Sequence, residues 1–266
     1  MKMNKKILFF DIDGTLLPNL PHEVPKSAVE ALRRAQANGH LLFINSGRTW
    51  AMIPEQMKQL SFDGYVCGCG SEVYLHGEKL FSQSVPNHIC QATVQALRDF
   101  RIGAVFECPH RFLYDSTAPQ SSAVIPNMLG RYPLADLTKF DSEEASTYTF
   151  NKAFLTLSPR SDCEAFRNFC QDKYDIFVHD TYVWEIGQKG CSKATGIELL
   201  LKHLQIPRED SFAFGDSEND LPMLRYAGTS IAMGNSNPKI LPFCTWQTTD
   251  ILEDGIARAL EHFGLI

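Results

Sequence analysis

The sequence lacks the features that mark membrane-spanning and nucleic-acid-binding proteins. None of its apolar runs approaches the ~20 residues that a helix needs to cross a bilayer. Basic residues are too few for a protein that binds nucleic acid through a positive surface, since 25 Lys and Arg stand against 31 Asp and Glu. The basic segment MKMNKK precedes the first apolar run, but Asp11 and Asp13 interrupt that run before it could serve as a signal-peptide core. We therefore expect a cytoplasmic protein that binds neither membrane nor nucleic acid.

Paired cysteines and regularly spaced histidines are missing as well. Of the eight cysteines, only Cys67 and Cys69 lie close together, and one C-x-C pair without neighbouring histidines is not typical of a zinc site. The eight histidines show no metal-ligand spacing. We interpret the cysteines as reduced structural residues.

The two ends of the chain alternate strands with helices. In KILFF, residues 6–10, four apolar residues follow one another without polar alternation, which is typical of a buried strand. The later segment SAVEALRRAQANG carries its apolar residues on one face, which is typical of a helix that stops at its final glycine. The same kinds of pattern recur in HLLFIN, DGYVCGCG, SKATGIELLLKHL, SFAFGD and TSIAMGN. This alternation predicts a parallel sheet covered by helices on both faces.

The middle of the chain follows a different pattern. It contains hairpin-like strand pairs, among them IFVH with YVWEI, and two predicted helices, one of which we expect Asn87 to cap. Neighbouring strands of this kind indicate an α+β layer. The sequence therefore predicts one α/β domain built from residues 1–83 and 186–266, with a second domain inserted at residues 84–185.

Polar side chains gather where the predicted parallel strands end. Four groups follow a strand or open a helix in the α/β part: Asp11 with Asp13, Ser46 with Gly47, Lys193, and Asp216 with Asn219 and Asp220. Ligands of open parallel sheets bind beyond the carboxyl ends of the strands. We therefore expect these groups to meet at one edge of the sheet.

The charge of this edge predicts a metal ion. Up to four carboxylates would lie within several ångströms of one another, and Lys193 is the one lysine that belongs to the set. Like charges at that distance either raise one another's pKa values or require a cation. Ligation by carboxylate and water oxygens is what Mg²⁺ prefers, so Mg²⁺ is the predicted cofactor.

Glycines and hydroxyls beside the carboxylates predict an anion site. Gly14 follows the Asp pair and Gly47 follows Ser46, and a glycine at each position leaves the backbone N–H groups there accessible. Exposed backbone N–H groups, together with a serine hydroxyl and the Lys193 ammonium, form a cradle for an anion. A carboxylate nucleophile next to a metal and such a cradle is suited to phosphoryl transfer through an acyl phosphate.

These motifs resemble those of a known superfamily. In chain order, D-x-D-G-T, S-G-R, a helix-opening lysine and G-D-S-x-N-D are similar to the motifs of the haloacid dehalogenase superfamily of phosphatases. GDSENDLPML resembles the final motif of its Cof-type sugar-phosphatase branch, and ample chain for that branch's cap domain lies between Gly70 and Lys193. The resemblance implies a Rossmann-like, doubly wound α/β core with an inserted α+β cap. It also implies Mg²⁺-dependent hydrolysis of a small phosphorylated metabolite such as a sugar phosphate.

The resemblance implies roles for individual residues. Asp11 matches the nucleophile that takes the phosphoryl group, and Asp13 matches the general acid and base. The carboxylates of Asp11 and Asp216, with the backbone carbonyl of Asp13, would hold Mg²⁺. Asp220 would ligate through water or orient Lys193. The phosphoryl oxygens would be gripped by three positions: Ser46, Lys193 and Asn219.

Alternatives stay open at this level. Lys189 lies in the same GQKGCSK segment as Lys193, which is favoured because it opens the helix. GCGSEV replaces the Asn-Gly-Ala common in the Cof branch, so Glu72 is a candidate pocket residue and the contacts of this loop are open. A phosphomutase of the phosphomannomutase type would need clustered arginines in the cap, where the arginines are dispersed. A non-catalytic phosphate-binding module would be expected to have lost some of the catalytic residues. The substrate and the oligomeric state are not predicted.

Overall fold

The apolar runs of the sequence form two sheets in the computed structural model, which describes residues 5–108, 111–115, 137–140 and 149–266. Contacts divide the chain into two units, each holding one of the sheets. The first unit comprises Met1–Gly47, Pro54–Phe81 and Ser192–Ile266, and the second comprises Arg48–Ile53 and Ser82–Cys191. The domain boundaries drawn from the sequence stay a prediction. No pattern in the sequence indicates that residues 48–53 group with the second unit.

The sheet of the first unit has eight strands, numbered here in chain order through both units. They are β1 (Ile7–Phe10), β2 (Leu41–Asn45), β3 (Gly64–Cys67), β4 (Glu72–Leu75), β5 (Glu78–Ser82), β12 (Ser211–Gly215), β13 (Thr229–Ala232) and β14 (Trp246–Gln247). Their order is β14-β13-β12-β1-β2-β3-β4-β5. From β14 to β3 neighbouring strands pair in parallel, and β4 reverses the direction. The predicted α/β class with a parallel sheet is confirmed.

Helices of the first unit bury apolar faces against this sheet. They are α1 (Lys26–Ala37), α2 (Glu55–Gln59), α5 (Lys193–Leu204), α6 (Leu221–Tyr226) and α7 (Gly255–His262). Ile197 and Leu200 of α5 are fully buried in one cluster with Phe9 and Phe43 of the sheet. Burying each such side chain contributes about 1.5–3 kcal/mol. Within the described ranges, no helix combines the length and the apolar character that crossing a membrane requires.

The second unit is a six-stranded sheet with two described helices. Its strands are β6 (Gly103–Glu107), β7 (Phe112–Asp115), β8 (Leu137–Phe140), β9 (Lys152–Thr156), β10 (Tyr174–Val178) and β11 (Val183–Gln188), and its helices are α3 (Asn87–Asp99) and α4 (Cys163–Cys170). The strand order is β10-β11-β9-β6-β7-β8. The predicted pair of IFVH with YVWEI is present as the antiparallel strands β10 and β11. The pattern of IGAVFEC and RFLYD also predicts a hairpin, and β6 and β7 pair antiparallel there. A mainly antiparallel sheet with two described helices is an α+β layer, and its assignment to an inserted domain stays a prediction.

Proline sets where two helices begin. The pattern of TWAMIPEQMKQL, residues 49–60, predicts a helix that Pro54 shortens or kinks, and the α-helix begins only after Pro54, because proline has no N–H to donate and restricts the residue before it. The predicted cap at Asn87 is wrong. Pro86 occupies the capping position of α3, and the Asn87 Oδ1 accepts a hydrogen bond from Gln91 Nε2 at 2.9 Å.

One face of the second sheet carries a buried group of charges. Lys152 Nζ lies 2.9 Å from Glu185 Oε2 and 3.8 Å from Glu107 Oε1. Glu107 is 1% exposed, and its Oε2 has no hydrogen-bond partner. Burial raises the pKa of Glu107 from 4.5 to about 7. Burial acts on Glu185 in the same direction, but Lys152 and His179 outweigh it and lower the pKa of Glu185.

Replacement of Glu107 with glutamine should stabilise the protein at alkaline pH. The pKa of Glu107 is higher in the folded chain than in the unfolded one, so its contribution to stability is lost as the pH rises from 4.5 to about 7. Glutamine mimics the protonated acid, so the two proteins should have the same free energy of unfolding at pH 5. At pH 9 the variant should be more stable by at most about 3 kcal/mol. Urea unfolding at both pH values checks this.

Glu185→Gln is the matched control for this experiment. The lowered pKa of Glu185 means that its stabilising contribution is present above pH 4.5, so this variant should be less stable than wild type at pH 9. A Glu107→Gln variant that is destabilised at pH 9 as much as Glu185→Gln would contradict the assignment.

Candidate active site

The carboxyl ends of three neighbouring strands bring the predicted site residues to one edge. β1 lies between β2 and β12, and its last residue, Phe10, is level with Phe214. The Asp11 N–H donates to the Phe214 carbonyl at 3.0 Å, which extends this pairing by one residue. Asp11, Ser46 and Asp216 therefore follow the ends of parallel strands that lie side by side, where ligands of such sheets bind.

Three carboxylates form the centre of this edge. One oxygen from each of Asp11, Asp216 and Asp220 lies within 4.8 Å of the other two. Asp11 is 3% exposed and Asp220 is fully buried, whereas Asp216 is half-buried. Among the described residues, this is the single cluster of three or more side chains with metal-ligating atoms so close together.

Lys193 supplies the positive charge of the group. Its Nζ lies 2.6 Å from Asp11 Oδ1 and 2.5 Å from Asp220 Oδ1, and the residue is 1% exposed. Lys193 is the first residue of α5, whose start is set by a capping box between Ser192 and Thr195. The alternative, Lys189, is exposed and its Nζ donates to the Gln171 carbonyl.

Burial and the neighbouring charges shift the pKa values of this group. Burial raises the pKa of Asp11 well above its ordinary 3.8, although the Lys193 ammonium opposes the rise. Burial and the neighbouring charge of Asp220 raise the pKa of Asp216 to about 7. For Lys193, burial alone would lower the pKa, but the carboxylates of Asp11 and Asp220 raise it above 10.5. One ammonium thus balances only part of the charge of three carboxylates.

Asp220 holds the local backbone as well as the lysine. Its Oδ2 accepts from the backbone N–H of Asp216 at 2.9 Å and of Ser217 at 3.0 Å, while its Oδ1 accepts from Lys193. These bonds fix the turn between β12 and α6. The position of Asp220 therefore suits a residue that orients Lys193, one of the two roles that the motif leaves open.

Two residues that the sequence did not single out hold Asp216 and the turn after β1. Thr15 Oγ1 donates to Asp216 Oδ1 at 3.0 Å, and Asn235 Nδ2 donates to the Gly14 carbonyl at 2.8 Å. Gly14 has a φ of +81°, and a Cβ there would lie 2.4 Å from Asp216 Oδ2. Thr15 belongs to the D-x-D-G-T motif, and Asn235 follows β13 as a polar residue at the same sheet edge. The motif could have identified Thr15, and the position after a strand end could have identified Asn235.

The remaining predicted residues lie near the strand ends but outside the carboxylate group. Asp13 is exposed in the turn after β1, Ser46 is 1% exposed, and Gly47 is half-buried. Asn219 is exposed, and its Oδ1 accepts from Ser217 Oγ at 2.7 Å. The functional roles of these residues stay predictions.

Glu72, the candidate pocket residue, is engaged within the first sheet. It is fully buried on β4, where its Oε1 accepts from the Tyr74 hydroxyl and from Lys79 Nζ, both at 3.1 Å. This ion pair and hydrogen bond give Glu72 a structural role in addition to any contact with a ligand.

The residues present fit a magnesium ion. Three carboxylates that can each bring one oxygen within 4.8 Å of the others make an all-oxygen donor set of the kind Mg²⁺ prefers. The set places three carboxylates beside the single ammonium of Lys193, so it holds more negative charge than that lysine balances. A divalent cation would supply the missing positive charge.

Several known proteins are similar to this chain along most of its length. A family model described as haloacid dehalogenase-like hydrolase matches residues 8–260. HMP-PP phosphatase of Cronobacter sakazakii is 26% identical and the match covers 87% of this chain and 85% of that one. The 5-amino-6-(5-phospho-D-ribitylamino)uracil phosphatase YitU of Bacillus subtilis is 24% identical with 100% of both chains covered. The solved structure of the HAD subclass IIB sugar phosphatase BT4131 is 27% identical with a TM-score of 0.84, covering 98% of this chain and 100% of that one.

Proposed function

The chain belongs to the haloacid dehalogenase-like hydrolases, and from this premise we propose that it is a Mg²⁺-dependent phosphatase of a small phosphorylated metabolite, such as a sugar phosphate. The observation that carries the proposal is the buried set of Asp11, Asp216 and Asp220 with Lys193 at the carboxyl edge of the parallel sheet. The similar proteins support it, since they are phosphatases of HMP-PP, of a phosphoribitylamino uracil and of a sugar phosphate.

Asp11 acts as the nucleophile in this proposal. Its carboxylate attacks phosphorus, the bond from phosphorus to the ester oxygen breaks, and an aspartyl phosphate forms on Asp11. Asp13 gives its proton to the departing oxygen. Asp13 then takes a proton from water, which attacks the aspartyl phosphate and releases inorganic phosphate. The original states of both aspartates are restored.

The other site residues hold the reacting groups. Four groups bind the phosphoryl oxygens: the Lys193 ammonium, the Ser46 hydroxyl, the Asn219 amide and the backbone N–H of Gly47. The carboxylates of Asp11 and Asp216, with the backbone carbonyl of Asp13, would hold Mg²⁺, and Asp220 orients Lys193. When bound, Mg²⁺ neutralises the charge shared by the carboxylates and the phosphoryl group.

The test is phosphate release from a panel of phosphorylated metabolites in the presence of Mg²⁺. Release of inorganic phosphate from at least one small ester is expected. Transfer of the phosphoryl group between positions of a sugar, without free phosphate, would instead identify a phosphomutase. Phosphate binding without turnover on any ester would identify a non-catalytic module.

Removal of Mg²⁺ should abolish turnover and lower thermal stability. A ligand that binds only the folded chain stabilises it by about 2.7 kcal/mol at one hundred times its dissociation constant. Mg²⁺ added after EDTA treatment should therefore raise the melting temperature as well as restore activity. In Asp216→Asn, which lacks one carboxylate of the set, the Mg²⁺-induced rise should be much smaller. An equal rise in wild type and Asp216→Asn would contradict the assigned ligands.

A further inference from the structure

A buried amide reaches the backbone of the lysine that the site depends on. Asn45, the last residue of β2, is fully buried, and its Nδ2 donates to the backbone carbonyl of Lys193 at 2.9 Å. The bond joins residues 148 positions apart in the chain. Lys193 is therefore held at both ends, at its carbonyl by Asn45 and at its Nζ by Asp11 and Asp220.

The first turn of α5 is docked tightly onto the strands beside Asn45. A Cβ on Gly70 would lie 2.2 Å from the Ser192 carbonyl oxygen, and a Cβ on Gly196 would lie 2.3 Å from Val66 Cγ1. These contacts limit how closely the helix can approach the sheet, but they have no directional preference along the strand. The Asn45 amide adds a directional bond, and it acts on the residue whose side chain must reach Asp11.

The other end of the Asn45 amide is left without a partner. Its Oδ1 is buried and accepts no hydrogen bond. A buried, unpaired acceptor is costly to the fold, so packing alone would favour an apolar residue at this position. An unsatisfied buried polar group in a native protein needs an explanation, and a role in catalysis is one of the known explanations. The hydrogen bond from Nδ2 to the Lys193 carbonyl therefore explains why an amide, rather than an apolar side chain, occupies this position.

We infer that Asn45 is a positioning residue, which fixes the start of α5 so that Lys193 is aligned with the nucleophile Asp11. This inference rests on the proposed function in so far as it concerns turnover. Nothing in the comparisons or in the motifs assigns a role to Asn45. It precedes Ser46 in the chain, so one strand end places both the proposed phosphate-binding hydroxyl and the backbone of the lysine.

Two substitutions of Asn45 distinguish the effect of losing the amide from the effect of changing the side-chain volume. Asn45→Ala leaves space and Asn45→Leu adds bulk, but both remove the donor and the unpaired acceptor together. Asn38→Ala is the matched control, because the exposed Asn38 Nδ2 also donates to a backbone carbonyl, that of Leu265, at 3.0 Å. Asn38 is not part of the site.

Both Asn45 variants should lose about 10- to 100-fold in kcat/KM, as expected for a misplaced catalytic group. Their melting temperatures should stay within a few degrees of wild type, since the lost bond is offset by removal of the unpaired oxygen. Asn38→Ala should keep kcat/KM within about twofold of wild type, because its amide bond lies outside the site. Wild-type kcat/KM in either Asn45 variant would overturn the inference, because turnover would then not need the amide.

The reactivity of Lys193 gives a readout that does not depend on turnover. Wild type and the variants are treated with limiting acetic anhydride, and acetylation of each lysine is followed by mass spectrometry. Lys193, which is 1% exposed, should react slowly in wild type and Asn38→Ala and several-fold faster in both Asn45 variants. Unchanged protection of Lys193 in these variants would overturn the positioning role. If no phosphate ester is hydrolysed by wild type, the proposed function fails, and the acetylation result still decides the inference.

Discussion

Replacing Asp11 with asparagine should abolish phosphate release, with a fall in kcat of at least about 10⁴-fold. In the proposed mechanism the Asp11 carboxylate forms a covalent bond to phosphorus, and an amide oxygen is far too weak a nucleophile to replace it. Loss of a covalent nucleophile costs up to about 10⁶-fold in other hydrolases. Initial rates on the best ester of the panel, with saturating Mg²⁺, measure the effect.

The same variant should remain folded. Asparagine has the size of aspartate and can still accept a bond from Lys193, and burial already raises the pKa of Asp11. Without Mg²⁺, its free energy of unfolding should lie close to that of wild type, which shows that lost activity is not lost structure. Turnover within tenfold of wild type in folded Asp11→Asn would contradict an aspartyl phosphate on this residue.

Replacing Lys193 with methionine should impair both catalysis and stability. Methionine keeps the apolar stem of lysine but leaves Asp11 and Asp220 without the cation that lies 2.6 and 2.5 Å from them. Removing one partner of a buried ion pair costs about 3–5 kcal/mol, and removing one donor to the reacting oxygens costs about 10²–10³-fold in kcat. Urea unfolding without Mg²⁺ and initial rates with Mg²⁺ measure the two losses separately.

Lys189→Met is the control for Lys193→Met. Lys189 is exposed, and it donates to a backbone carbonyl rather than to the carboxylates, so its removal should leave kcat unchanged. The stability loss of Lys193→Met should also be smaller at pH 5 than at pH 8, because protons can then neutralise the stranded carboxylates. Equal effects of the two substitutions on kcat would contradict the role assigned to Lys193.

Much of the candidate site could be predicted because one rule governs it. Parallel strands end at a common edge, so Asp11, Asp216 and the lysine that opens α5 were expected to meet there although more than 180 residues separate Lys193 from Asp11. The buried strands of the parallel sheet could also be predicted, because apolar runs such as LLFI are typical of strands that are covered on both faces.

The features that the sequence did not reveal depend on contacts between distant segments. The bond from Asn45 to the Lys193 carbonyl links two positions whose side-chain types carry no catalytic signature. The partnerless Oδ1 of Asn45 and the charge pairing of Glu107 with Lys152 likewise follow from which strands become neighbours. The wrong prediction that Asn87 caps α3 has a local cause, because Pro86 occupies the N-cap position and Asn87 becomes the first residue of the helix.

The assignment of residues 48–53 to the second unit bears on how such proteins can be recombined. The chain passes between the units four times, at 47/48, 53/54, 81/82 and 191/192. Met52, from the short excursion, packs with Val105, Phe112 and Phe154 of the second sheet. A chimaera that exchanges residues 82–191 alone would therefore place Met52 against a foreign sheet in place of Val105, Phe112 and Phe154. The second unit of this protein consists of two segments, and the shorter one begins at the residue after Gly47.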